Sequence, residues 1–123
     1  MNVIRKGEAP VFTMGGIRVH GLASPKRGAA ETCVWRLIVS PDTAGLPHRV
    51  TREEIFVGLA GTAVVTIDGK EHEVSAGDAI IVPKETLFSL ANRSSEPFEA
   101  MVSFPVGGKA VTNADPFTPP WAE

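Results

Sequence analysis

A single cysteine, Cys33, leaves this 123-residue chain without an internal disulfide and without the thiolates of a zinc cage. With no histidine near it in sequence, Cys33 reads as a small hydrophobe in a strand. Runs of like charge are absent too. The formal net charge of -2 and pI near 5.9 argue against nucleic acid or an anionic membrane as the main partner. No apolar run approaches the roughly 20 residues of a membrane span, and the N-terminus lacks a charged-then-apolar secretory pattern. A cytoplasmic location is the expectation. A phosphate-binding glycine loop, a Ser/His/Asp arrangement and a basic stripe with interleaved aromatics are all missing. Apolar residues nowhere keep a three-to-four-residue period for ten positions, so no long helix is expected. Histidine is scarce, limited to His20, His48 and His72.

What is present is a series of short strands. With 43% apolar residues, the chain is about the size of one domain and can bury one core. It divides into N-terminal strands and loops at 1–31, a barrel at 32–104 and a proline-rich tail at 105–123. Val11 to Met14 and Gly16 to Leu22 are short strands. Thr32 to Val39 follows, with β-branched residues in both alternating sets, so both of its faces are expected to be partly covered. Glu54 to Leu59, Ala63 to Ile67, Lys70 to Val74, Ala79 to Val82, Leu87 to Ala91 and Phe98 to Phe104 continue the series. Asp68-Gly69 predicts a type I′ hairpin turn. Such spacing predicts an antiparallel sandwich or barrel. The tail is expected not to pair in a sheet, with Phe117 and Trp121 anchoring it to the barrel or to a second subunit.

The stretch Pro47 to Gly61, PHRVTREEIFVGLAG, places His48 and Glu54 ahead of and within one strand. A bend followed by a pleated strand brings both side chains to the same interior wall. Here the chain resembles the cupins. Their first motif runs His-x-His, three or four residues, glutamate, six residues, glycine; His48, Glu54 and Gly61 keep this spacing, with Gly45 leading in. The second motif maps onto Gly77, Pro83 and Asn92. The resemblance covers about Trp35 to Phe104 and implies an all-β double-stranded β-helix, a jelly-roll barrel with its site in the mouth.

The resemblance also implies a metal set at four positions, occupied here by His48, Val50, Glu54 and Phe88. Valine and phenylalanine have no lone pair, and a catalytic transition-metal site needs about three protein ligands. No tightly bound cofactor is therefore expected; a divalent transition metal held by His48 and Glu54 is the alternative. His20, His72 and Glu53 are the further donors that a completed set would draw on, with Glu53 expected to point opposite to Glu54. Glu85 stands where the second motif has glycine, so the turn there is expected to avoid a glycine-only geometry. Arg36, Arg49 and Arg52 add positive charge, and Arg36 is a candidate clamp for an anion in the cavity.

Three readings follow. In the first, the chain binds an unidentified small molecule in a pocket shaped by Val50, Phe56 and Phe88, with Arg36 beside it and His48 and Glu54 as its polar groups. In the second, it is a metal-dependent dioxygenase, decarboxylase or isomerase with a non-standard ligand set. In the third, His48 and Glu54 act as a metal-free acid/base pair. A homodimer is expected, with the two-faced strand at Val34 to Val39 suited to the interface.

Overall fold

Side chains that alternate across short strands build two apolar sheet faces, and those faces close on each other. The computed structural model describes residues 2–123. Its strands are β1 (Val11–Met14), β2 (Ile17–Ala23), β3 (Thr32–Val39), β4 (Arg49–Val50), β5 (Glu54–Ala60), β6 (Thr62–Ile67), β7 (Lys70–Ser75), β8 (Ala79–Val82), β9 (Phe88–Ala91), β10 (Phe98–Pro105) and β11 (Ala110–Val111). The only helices among the described residues are three single 3-10 turns, and none is long and apolar enough to cross a membrane.

One antiparallel sheet runs β1-β2-β3-β10-β5-β8, a second runs β7-β6-β9, and β11 pairs with β4 as a short ribbon. Strands far apart in sequence are neighbours in space, with β10 between β3 and β5. This is the crossing pattern of a jelly roll, and the double-stranded β-helix implied by the motifs is the fold observed.

The pleat explains the core. In β10, Phe98, Ala100, Val102 and Phe104 point inward and are buried, while the residues between them are half-buried. Val102 is in register with Trp35 of β3 on one side and Phe56 of β5 on the other, and Phe56 with Ile80 of β8. One buried row thus crosses four strands. Full burial of each large apolar side chain contributes roughly 1.5–3 kcal/mol. Both faces of β3 are covered as expected, since outward-facing Ile38 is also buried.

Asn92, the last residue of the second motif, is buried and ties off the β9–β10 loop. Its Nδ2 donates to the carbonyls of Val39 (3.0 Å) and Glu96 (2.7 Å), and its Oδ1 accepts from the Ser94 backbone N–H (2.9 Å). A buried amide with these partners satisfied fixes the loop instead of destabilising it.

Two expectations are corrected. The tail does pair: Ala110 and Val111 are in register with Val50 and Arg49, and Phe117 exchanges two backbone hydrogen bonds with Ala110 at 2.8 and 3.0 Å. Residues 106–115 contain no proline, so the chain keeps its N–H donors where pairing occurs. The turn after Pro83 does not avoid the left-handed region. Glu85 has φ of 64° and donates its N–H to the Val50 carbonyl at 2.8 Å, a bond that holds it where the motif's glycine would sit without penalty.

Asp68 and Gly69 both have positive φ, 49° and 81°, as the predicted type I′ turn requires. Gly61 also has positive φ (77°), but a Cβ there would run into the Pro97 carbonyl, whereas Gly69 has open space around it. Gly69→Ala is expected to cost about 1–2 kcal/mol, the left-handed penalty alone. Gly61→Ala should cost more, because the backbone at Pro97 must also move. Urea denaturation of both variants compares them, and equal losses would show that Pro97 gives way freely.

Candidate functional site

The inward pleat positions of β3, β5 and β10 bring Trp35, Phe56 and Phe104 to one cavity of about 400 Å³. Its opposite wall comes from β9 and from the segment before β4. His48 and Phe88 are joined by two backbone hydrogen bonds, His48 N–H to the Phe88 carbonyl at 3.0 Å and Phe88 N–H to the His48 carbonyl at 2.9 Å. This pairing lays the two rings against each other with centroids 4.4 Å apart, and Phe88 meets Phe56 edge-on at 6.0 Å. Val50, 2% exposed, completes the wall.

Glu54 opens β5, where the alternation that buries Phe56 turns its carboxyl inward as well. It is 6% exposed and borders the cavity. Burial alone pushes the Glu54 carboxyl up to about 8, with neither a neighbouring charge nor a hydrogen bond to hold it down. At neutral pH the group is therefore mostly the neutral acid, able to donate as well as accept. His48 Nδ1 lies 2.9 Å from the Leu46 carbonyl, to which it donates, so Nε2 is the ring's remaining polar atom. No ion pair or hydrogen bond joins His48 to Glu54 among the described residues.

The structure thus brings His48, Val50, Glu54, Phe56 and Phe88 to one cavity, and it leaves Arg36 out. This corrects the placement of Arg36 in the pocket. Trp35 and Leu37 take the inward positions of β3, so the residue between them faces outward, where its guanidinium pairs with Glu99 at 2.7 Å. Arg49, Arg52 and Glu53 are exposed.

The remaining histidines do not complete a metal set. His20 is in register with Arg36, on the outer face of the large sheet. Burial, with Arg36, Arg18 and Lys6 nearby, holds its imidazole below the ordinary range. His72 is exposed on β7. Among the described residues no three His, Cys, Asp or Glu side chains come together as a metal-holding group. The cupin positions here carry two donors and two hydrocarbon side chains, a set that does not fit a catalytic metal. Cys33 is buried, and its Sγ–H points to the Ala122 carbonyl at 3.6 Å; burial pushes its thiol up, away from reactivity.

Several walls of the cavity are not apparent from the motifs. Phe12 and Met14 of β1, Leu90 of β9, and Phe117, Pro119 and Trp121 of the tail all line it. Trp121 sits edge-on to both Trp35 (6.2 Å) and Phe12 (6.1 Å). Aromatic residues in an otherwise proline-rich tail were the available signal, and it pointed to anchoring without identifying the cavity as the anchor point.

Two antiparallel sheets around an apolar cavity, with His48 and Glu54 on its wall, define a small jelly-roll barrel. The family model described as the cupin domain matches residues 35–104, and the chain belongs to that family. Among curated proteins it is 51% identical over 72 residues to the dimethylsulfoniopropionate lyase DddW of Ruegeria pomeroyi, a match covering 58% of this chain and 47% of that protein. The alignment thus spans about half the length of that relative. An uncharacterized protein of Methanocaldococcus jannaschii, MJ1618, is 26% identical over 94 residues, 75% of each chain. Among solved structures, the polyketide cyclase RemF from Streptomyces resistomycificus superposes with a TM-score of 0.81 at 18% identity, over 97% of this chain and 89% of that one. At that identity the likeness is one of fold.

The buried carboxyl makes stability depend on pH. In the folded state Glu54 keeps its proton up to about pH 8, whereas in the unfolded chain it releases it in the ordinary carboxylate range. The native state therefore binds the extra proton between those limits, and stability falls as pH rises through that window, then levels off. The loss is on the order of 3–5 kcal/mol. Glu54→Gln should flatten the curve, read as urea midpoints from about pH 5 to pH 9. An unchanged slope would show that the carboxyl ionises without penalty.

Proposed function

We propose that this cupin-family protein binds a small molecule in the mouth of its barrel without a resident metal, using Glu54 and His48 as the polar contacts for that ligand. The observation that carries the reading is the exchange of metal-donor positions for Val50 and Phe88, beside a buried Glu54 carboxyl that has no partner in the protein. A carboxyl enclosed by hydrocarbon, with no cation beside it, is suited to hydrogen-bonding a ligand group, whereas a metal ligand needs further donors around the same point. The reading places the protein in the cytoplasm.

The relationship to DddW favours a second reading, a lyase acting on dimethylsulfoniopropionate. That compound is a carboxylate bearing a sulfonium. No lysine or arginine lines the cavity to receive its carboxylate, and the metal positions are half hydrocarbon. These features weigh toward binding over lysis.

Elemental analysis of the purified, dialysed protein tests the choice. Iron, manganese, nickel and zinc are expected well below stoichiometric levels, and the Val50→His/Phe88→His double variant, with four donors restored, is expected to take up metal near stoichiometry. Stoichiometric metal surviving dialysis in the wild-type protein would overturn the proposal. Wild-type protein should also leave dimethylsulfoniopropionate intact; consumption above the spontaneous rate, abolished in Glu54→Gln, would establish the lyase reading in its place.

A further inference from the structure

The cavity's charge and shape narrow its ligand further, on the premise that the site works without a metal. Its ionisable lining side chains are Glu54 and His48 alone, and the nearest candidate cation of the sequence, Arg36, is turned outward onto Glu99. An anionic ligand would meet a carboxyl with no fixed positive charge to offset its desolvation, a penalty of several kcal/mol against a largely apolar lining. The walls are aromatic: Trp35 and Phe56 come from the large sheet, Phe88 from the small one and Trp121 from the tail. Phe56 meets Phe88 edge-on at 6.0 Å and Trp35 meets Trp121 at 6.2 Å, so these rings touch in pairs and present an aromatic surface on which a flat ring gains edge-to-face and offset contacts. The volume of about 400 Å³ lies toward the small end of ligand sites, room for one or two fused rings rather than a long chain.

Two polar groups of the lining have no partner in the protein, the Glu54 carboxyl and the buried Nε1 of Trp121. An unpartnered buried carboxyl costs about 1–3 kcal/mol, and a ligand hydroxyl or carbonyl placed against it removes that cost. His48, with Nδ1 committed to the Leu46 carbonyl, offers Nε2 on the same cavity.

We infer that the ligand is an aromatic molecule of one or two rings that carries no negative charge, bearing a hydroxyl or carbonyl group that meets Glu54 while its ring lies against Phe56, Phe88 and Trp35.

Equilibrium dialysis of the full chain, after confirmation that it is metal-free, tests this with four probes: 2-naphthol, naphthalene, 2-naphthoate and phenyltrimethylammonium. 2-Naphthol is expected to bind about tenfold more tightly than naphthalene, the factor that about 1.4 kcal/mol provides. The naphthoate should bind more weakly than either, and the ammonium, which has no hydroxyl to meet Glu54, more weakly than 2-naphthol. In Glu54→Leu, which replaces an unpartnered carboxyl with hydrocarbon and is expected to fold at least as stably, naphthalene binding should persist and the preference for naphthol should vanish. Glu54→Gln, which keeps a donor and an acceptor, should retain the preference. Binding of naphthoate or of the ammonium as tight as that of naphthol, an unchanged preference in Glu54→Leu, or failure of all four probes to bind would overturn the inference. Naphthoate binding that appears only when metal is added would count against the metal-free reading itself, whereas naphthoate binding to metal-free protein overturns the ligand class alone.

Discussion

Two backbone hydrogen bonds between His48 and Phe88 organise the site. They hold the segment entering β4 against the start of β9, and so bring the first and second motifs to the same wall. In a metal-holding cupin the same two positions would present imidazoles to a common ion. Here one ring is histidine and the other hydrocarbon, tilted against each other with centroids 4.4 Å apart. The backbone of the motif is intact while its donor chemistry is halved. Backbone hydrogen bonds depend only on main-chain atoms and tolerate this exchange; coordination depends on side-chain lone pairs and does not.

Glu54 opposes stability in the absence of a ligand. Its carboxyl borders an apolar cavity without a partner, and burial disfavours its charged form. Protein interiors seldom leave such groups unmatched unless the match is supplied from outside the chain. Its environment differs from that of Arg36, which is also partly buried but has Glu99 to neutralise it. Of Arg36 and Glu54, only the unpaired one faces inward.

The fold was legible because its signals are local. Period-two alternation, the Asp68-Gly69 turn and the glycine at 61 each act over a few residues, and their spacing matched a known arrangement. The grouping of His48, Val50, Glu54 and Phe88 followed from the same spacing. Arg36 was harder to place, since both faces of its strand carry β-branched residues and the alternation therefore does not reveal which face is inside. The neighbouring Trp35 decides it, through contacts with Phe104 and Trp121 that are far away in sequence. The tail was misjudged for a related reason. Its prolines dominate its composition, yet they leave the segment around Ala110 free to pair, and what that segment pairs with lies some sixty positions earlier. Glu85 was misjudged because a hydrogen bond to Val50, invisible in the sequence, holds a non-glycine residue in a glycine conformation.

The chain holds two tryptophans and no tyrosine, and Trp35 and Trp121 both line the cavity, in edge-on contact with each other. The protein's indole emission thus originates entirely from the walls of that cavity. One indole belongs to the barrel and the other to the tail, so a change in that emission reports at the same time on what fills the cavity and on whether the tail remains seated against it.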